Sequence, residues 1–212
     1  LEVFRENLFE WDIFNCCGHL YSNVIFDYEH PEHGNVIANY FASDTTRPAL
    51  HTPHPRDLTE FAGGTIEFDL YVINEPNNAQ WEMQIDCMYP CTSNALTLTS
   101  SQEGHAPRLR EWQHYTFNLS DLVAQGLHLD RIDNVLSVFP AWGNQLGAEY
   151  LLDNIVLTEA SQDLKDSDSD GASDYFDECP NTPFGIPVNS IGCPLPGYGA
   201  QTHPVNTHKE LL

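Results

Sequence analysis

Positive charge is scarce in this chain. Eight Lys and Arg stand against 31 Asp and Glu in 212 residues, a formal charge of −23. Nucleic acid and anionic membrane surfaces are therefore poor partners on electrostatic grounds. Long apolar runs are missing too: no stretch reaches the roughly 18 residues that a membrane-spanning helix needs, which argues against membrane insertion. No signal peptide and no initiator Met stand at the start, so Leu1 is expected to open a mature protein or a piece of a longer polypeptide. Helical periodicity is confined to a turn or two at Arg56 to Phe61 and at Ser120 to Gln125, with Ser120 as the expected N-cap.

Alternation of apolar and polar residues is abundant, and the hydrophobic share of 41% suffices for an ordinary globular core. From Thr65 to Ile73, Ile66, Phe68, Leu70 and Val72 share one face while Thr65, Glu67, Asp69 and Tyr71 share the other, the mark of a half-buried antiparallel strand. The same period recurs at Trp81 to Tyr89, Ala95 to Thr99 and Trp112 to Leu119. Further strands are expected at Leu1 to Arg5, Asn23 to Tyr28, Asn35 to Phe41, Ile132 to Phe139 and Tyr150 to Thr158. About eight or nine short strands separated by turn clusters predict an all-β fold, a two-sheet antiparallel sandwich of jelly-roll type. Alternation stops after Thr158. The expected division is a sandwich over 1–160, a small unit over 161–196 and a linker-like tail over 197–212, rich in Gly, Pro and polar residues.

The small unit holds Asp166, Asp168, Asp170, Asp174 and Asp177 at the first, third, fifth, ninth and twelfth positions of a loop, with Gly171 at the sixth and the carbonyl of Ala172 at the seventh. This is the oxygen shell and sharp turn that a hard cation requires, so Ca2+ is the expected ion; the alternative is a solvated acidic linker. Nothing in the loop supplies a nucleophile or base, so the metal's role is structural. Outside this segment the chain is still strongly acidic, which disfavours polyanionic glycans and favours a neutral ligand. The loop continues into Cys179-Pro180-Asn181-Thr182-Pro183 and on to Gly192-Cys193-Pro194. Together these residues resemble the thrombospondin type 3 repeat of secreted bacterial proteins. The resemblance implies a calcium-bound spacer or contact module closed by a Cys179 to Cys193 disulfide, a closure worth about 3 kcal/mol in the chain-entropy model.

Six cysteines, an even number, point with the calcium loop to an oxidising, extracellular location. Cys16, Cys17, Cys87 and Cys91 allow three pairings, of which two bridges between the pairs are favoured over a vicinal link. Zinc with His19 competes, although adjacent cysteines fit poorly on one tetrahedral ion. His30, His33, His51 and His54 are expected in loops, either solvated or binding a transition metal.

Three runs in the sandwich resemble the galactose-binding-like family of carbohydrate-binding modules: Gly64-Thr65-Ile66-Glu67-Phe68-Asp69-Leu70-Tyr71-Val72, then Trp112 through Tyr115, Phe117 and Leu119 to Leu122, then Tyr150-Leu151-Leu152-Asp153-Asn154-Ile155 with Leu157. The likeness extends to modules attached to bacterial glucanases and laminarinases. It implies a non-catalytic, monomeric module that carries the catalytic domain of the same polypeptide to a neutral polysaccharide, with β-1,3-glucan first and galactans open. Such a module needs exposed aromatic rings flanked by hydrogen-bonding side chains. Alternation places Glu67, Asp69, Tyr71, Glu82, Gln84, Asp86, Thr97, Thr99, Arg110, Trp112, His114 and Thr116 away from the core, on one polar face if their strands are neighbours. Trp112 is the first candidate for stacking and Trp142, in the loop after Pro140, the second; either can instead be a packing residue. Trp81 shares its face with Met83 and Ile85 and is expected in the core, while Trp11 has no assignment. Asp153 shares parity with Leu151, Ile155 and Leu157, which points it coreward. In the resembling family a second structural calcium sits where first and last strands meet, and Asp153 with Glu2 or Glu6 would supply it; the alternative is an Asp satisfied by backbone amides.

The competing function is a sandwich glycoside hydrolase or lyase. Glu67 and Asp69 share a face, but Val72 stands where the laminarinase-type Glu-x-Asp-x-x-Glu pattern has its second Glu, and few basic residues are present for a lyase. A calcium-dependent adhesion or spacer protein is the third possibility.

Overall fold

The computed structural model describes residues 1–16, 22–89, 91, 93–160, 166–174, 177–189 and 191–197. It divides into two compact units, Leu1–Ala160 and Ser161–Leu212. The first is an antiparallel sandwich of β1 (Glu2–Arg5), β2 (Asn7–Leu8), β3 (Asp12–Cys16), β4 (Ser22–His30), β5 (Gly34–Phe41), β6 (Arg47–Arg56), β7 (Thr65–Asn74), β8 (Trp81–Cys87), β9 (Leu96–Thr97), β10 (Trp112–Asn118), β11 (Ile132–Pro140) and β12 (Glu149–Thr158), with one short helix, α1 (Leu119–Ala124). A seven-stranded sheet runs β10-β7-β12, and β12 then pairs with both β1-β2 and β5-β4. A five-stranded sheet runs β3-β6-β11-β8-β9.

The alternation that predicts these strands also builds the core. Ile66, Phe68, Leu70 and Val72 on β7 and Trp81, Met83 and Ile85 on β8 are all buried, each contributing about 1.5–3 kcal/mol from burial. Trp11, unassigned from sequence, joins them beneath Arg56. The Tyr150 hydroxyl on β12 donates to the Val138 carbonyl on β11 at 2.8 Å, bridging the two sheets through the core. Burial raises the pKa of that phenol.

Several elements depart from the pattern. Strand β6 carries Pro48, Pro53 and Pro55, which break the apolar period, and it places His51 and His54 on a strand rather than in a loop. Helix α1 starts at Leu119, so its N-cap is Asn118 and not Ser120, without a side-chain capping bond. The turn expected over Arg56 to Phe61 is a single 3-10 turn, Thr59–Phe61, where Asp57 accepts from the Thr59 amide and hydroxyl; these bonds lower its pKa. The run from Ala95 shortens to β9 followed by a 3-10 turn.

Cys87 is bonded to Cys91, with their Cα atoms 5.4 Å apart, which overturns the expectation of two bridges to Cys16 and Cys17. The tight turn after β8 brings these near neighbours together at little loop-closure cost. The side chains of Cys16 and Cys17, and His19, lie outside the described residues. In the second unit Cys179 and Cys193 are joined, Cα to Cα 5.0 Å, beside the Val188 to Pro194 bridge.

Candidate functional site

The expected single polar face divides in two, because β8 and β9 belong to the five-stranded sheet while β7 and β10 belong to the other. Gln84, Glu82 and Asp86 therefore lie on the opposite side of the sandwich from Glu67, Asp69, Tyr71, Trp112 and His114.

On the seven-stranded sheet the outward rows read Trp112–Tyr71–Leu151, then His114–Asp69–Asp153, then Thr116–Glu67–Val156. Asp153 is outward, contrary to its parity. A bulge at Asn154, whose φ of 49° is left-handed, inserts one residue between Asp153 and Ile155 and flips the period. Asp153 is consequently buried among polar groups: it accepts from the Asn154 amide at 2.7 Å and lies 3.0 Å from His33 Nδ1. Glu2 pairs with Arg5, and Glu6 accepts from the Asn35 amide. Asn154 Nδ2 also donates to Asp69 Oδ2 at 2.8 Å, and Asp69 Oδ1 is 2.7 Å from His114 Nδ1.

Trp112 is outward as expected, yet its ring is largely occupied. His33 stacks on it at 4.0 Å, His30 meets it edge-on at 5.6 Å and Tyr71 leans on it at 5.4 Å. His30 ends β4, on a strand rather than in the expected loop, and His33 lies in the turn to β5; no strand period reveals their approach. What remains open is a cleft of about 460 Å³ lined by Trp112, Tyr71, His30, Pro31, Glu32 and Arg110.

The five-stranded sheet presents a different surface. Its central outward row is Asp12–His51–Asn134–Asp86, with Ser137–Gln84 and Phe139–Glu82 beside it. Arg47 reaches across: one terminal nitrogen donates to Gln84 Oε1 and the other to Asp86 Oδ2 at 2.5 Å, with the guanidinium 5.8 Å over the Phe139 ring. Gln84 Nε2 donates onward to Asp86 and to the Ser93 carbonyl. Trp142, 48% exposed, packs on Phe139, and Phe14, 50% exposed, packs on His51. Two buried polar atoms in this floor have no hydrogen-bond partner, Asn134 Oδ1 and Arg47 Nε. Burial raises the Glu82 carboxyl; burial first and then the nearby Asp86 charge raise Asp133, against a lowering from His51. Trp142 and Gln84 were legible in the sequence; Arg47, Phe14 and His51 were not, because β3 and β6 gave no period to place them, and Asn134 was not because register shifts on either side of it in β11 break the alternation.

In the second unit the carboxylates of Asp166, Asp168 and Asp170 all lie within 4.8 Å of one another, the one such group of three among the described residues. Asp166 accepts from the amides of Ser169 and Gly171, Asp174 from Ser167, and Asp177 from Cys179. Asp170 Oδ2 is buried without a partner. Gly192, at φ +72°, sits against Asp177 Oδ1, which a Cβ would strike, and 3.1 Å from where Asp170 Oδ2 would meet it. The donor set fits a hard cation: oxygens only, converging, with one buried oxygen unsatisfied.

No protein-family model matches the chain, and no curated protein matches it in sequence. Solved structures do match. The family 30 carbohydrate-binding module of the cellulosomal cellulase Cel9D-Cel44B of Clostridium thermocellum superposes with a TM-score of 0.56 at 12% identity, over 74% of this chain and 96% of that one. The chain shares that sandwich fold. The extra C-terminal domain of an exo-1,3/1,4-β-glucanase from a Pseudoalteromonas species gives 0.55 at 12% identity, over 78% and 95%. An exo-β-agarase gives 0.51 at 12% identity over 70% of this chain, which spans only 23% of that enzyme. Identities this low establish architecture alone.

Proposed function

We propose that residues 1–160 form a non-catalytic carbohydrate-binding module that takes a neutral glycan across the outer face of the five-stranded sheet. One observation carries this: two half-exposed aromatic rings, Phe14 and Trp142, share the outer face of this sheet with the hydrogen-bonded polar groups of Arg47, Gln84 and Asp86. Sugars offer an apolar C–H face for aromatic rings and hydroxyls that both donate and accept, so a glycan meets both demands at once. Sharing a fold with modules of a cellulase and of an exo-1,3/1,4-β-glucanase supports the reading, and β-1,3-glucan is the first choice of ligand, delivered to a catalytic domain of the same polypeptide. The Cys87–Cys91 and Cys179–Cys193 disulfides favour a secreted protein.

A hydrolase is less well supported. The two carboxyls raised by burial on this face, Glu82 and Asp133, are separated by the four-residue step from Glu82 to Asp86, roughly 13 Å at about 3.3 Å per residue. Glycoside hydrolysis needs a spacing of about 5–9.5 Å.

The second unit, on this proposal, holds Ca2+ on Asp166, Asp168, Asp170, the Ala172 carbonyl, Asp174 and Asp177, and acts as an ion-stiffened spacer. Affinity electrophoresis against laminarin, mixed-linkage glucan, xylan and agarose tests the module: retardation on a neutral β-glucan is expected, and unaltered migration on all four would sink the proposal.

A further inference from the structure

Arginine is nearly always paired in this acidic chain. Arg5 pairs with Glu2, Arg47 with Asp86, Arg56 with Glu10, Arg108 with Glu111 and Arg131 with Asp130. Among the arginines, all of them in the described residues, Arg110 alone has no ion pair or hydrogen bond from its side chain, although acids outnumber bases 31 to 8. Its backbone is left-handed, φ 60°, and is held there by its amide donating to the Val72 carbonyl at 2.7 Å. That conformation, uncommon for a residue with a side chain, sets the guanidinium at the cleft on the seven-stranded sheet, on the side of the sandwich away from the proposed glycan floor.

The remaining walls of the cleft are Trp112, Tyr71, His30, Pro31 and Glu32, and its volume of about 460 Å³ lies within the range of small-ligand sites. Trp112 is fixed from behind by the His33 stack, itself 3.0 Å from buried Asp153, so the wall is rigid before any ligand arrives. Trp112 Nε1–H is buried and makes no hydrogen bond. An unpaired planar cation between two aromatic walls asks for a ring that carries a carboxylate. Guanidinium binds carboxylate bidentately, and the ring's apolar face packs on the indole or phenol.

We propose that this cleft is a second binding site, which takes a single uronate residue with its carboxylate on Arg110 and its ring against Trp112 and Tyr71. Glu32 faces the ring hydroxyls as an acceptor. The site is small and its field is local, so it takes one terminal acidic sugar, while the chain's overall negative charge opposes a polyuronate strand.

The test is a pair of NMR titrations of the full chain with methyl β-glucuronide and methyl β-glucoside, following the Trp112 indole N–H resonance. Saturable movement of that resonance by the glucuronide is expected, with the glucoside at least tenfold weaker. Arg110→Gln is expected to weaken the glucuronide at least tenfold while the amide spectrum stays dispersed. Equal affinity for the two sugars, an unmoved Trp112 resonance, or an unchanged affinity in Arg110→Gln would each overturn the proposal. Neutral-glucan binding followed at Trp142 is a separate titration on the other face, so either site can fail alone.

Discussion

His33 serves two neighbours at once, stacking on Trp112 at 4.0 Å and lying 3.0 Å from the buried carboxylate of Asp153. Replacing it with Ala strips Asp153 of its ring partner and leaves a cavity under the indole. A loss of about 1–3 kcal/mol in urea denaturation is expected from the underpaired buried acid. Asp133 gives a pH signature of opposite origin. Burial raises its pKa in the folded state, so the stability it contributes is full below the ordinary carboxylate value of 3.8 and is lost as pH rises through the raised value. Asp133→Asn is accordingly expected to raise the melting temperature at pH 7 and to leave it nearly unchanged at pH 3; equal shifts at both would contradict the assigned cause. Trp112's outward direction was legible because period two is strictly local. Its crowding was not, because His30 at the end of β4 and His33 in the following turn are distant in sequence, and Asp153 was misdirected because one bulge at Asn154 inverts every parity beyond it.

At the scale of elements, β7, β8 and β10 were legible from alternation and appear where expected. Their assignment to sheets was not. Consecutive strands β7 and β8 pass from one sheet to the other, a crossover determined by long-range burial rather than by any residue at the junction. Strand β6 escaped notice through its prolines, and with it went Arg47, the residue that organises the five-stranded face. The Cys87 to Cys91 link anchors the end of β8 at that face. Its loop is short, so the chain-entropy model assigns it about 2 kcal/mol, less than the wider Cys179 to Cys193 closure. Replacing both Cys87 and Cys91 with Ser is expected to lower unfolding free energy by about that amount in guanidinium titrations.

For the whole molecule, the chain carries a charge of −23 and divides into two compact units, to which the proposal assigns recognition and spacing respectively. Chelation is expected to expose the second unit, Ser161–Leu212, to proteolysis while the sandwich resists, and Gly192→Ala is expected to weaken calcium binding by crowding Asp177 and Asp170. A calorimetric calcium titration checks the latter. A neutral ligand releases few counterions, so glycan affinity should change little between low and high salt. The most direct test of the central claim is calorimetry of a laminarin oligosaccharide against the wild-type chain and Trp142→Ala, a substitution at a half-exposed loop residue that leaves the core untouched. At least a tenfold loss of affinity with an unchanged melting temperature is predicted; wild-type affinity in Trp142→Ala would contradict the placement of the glycan on the five-stranded face.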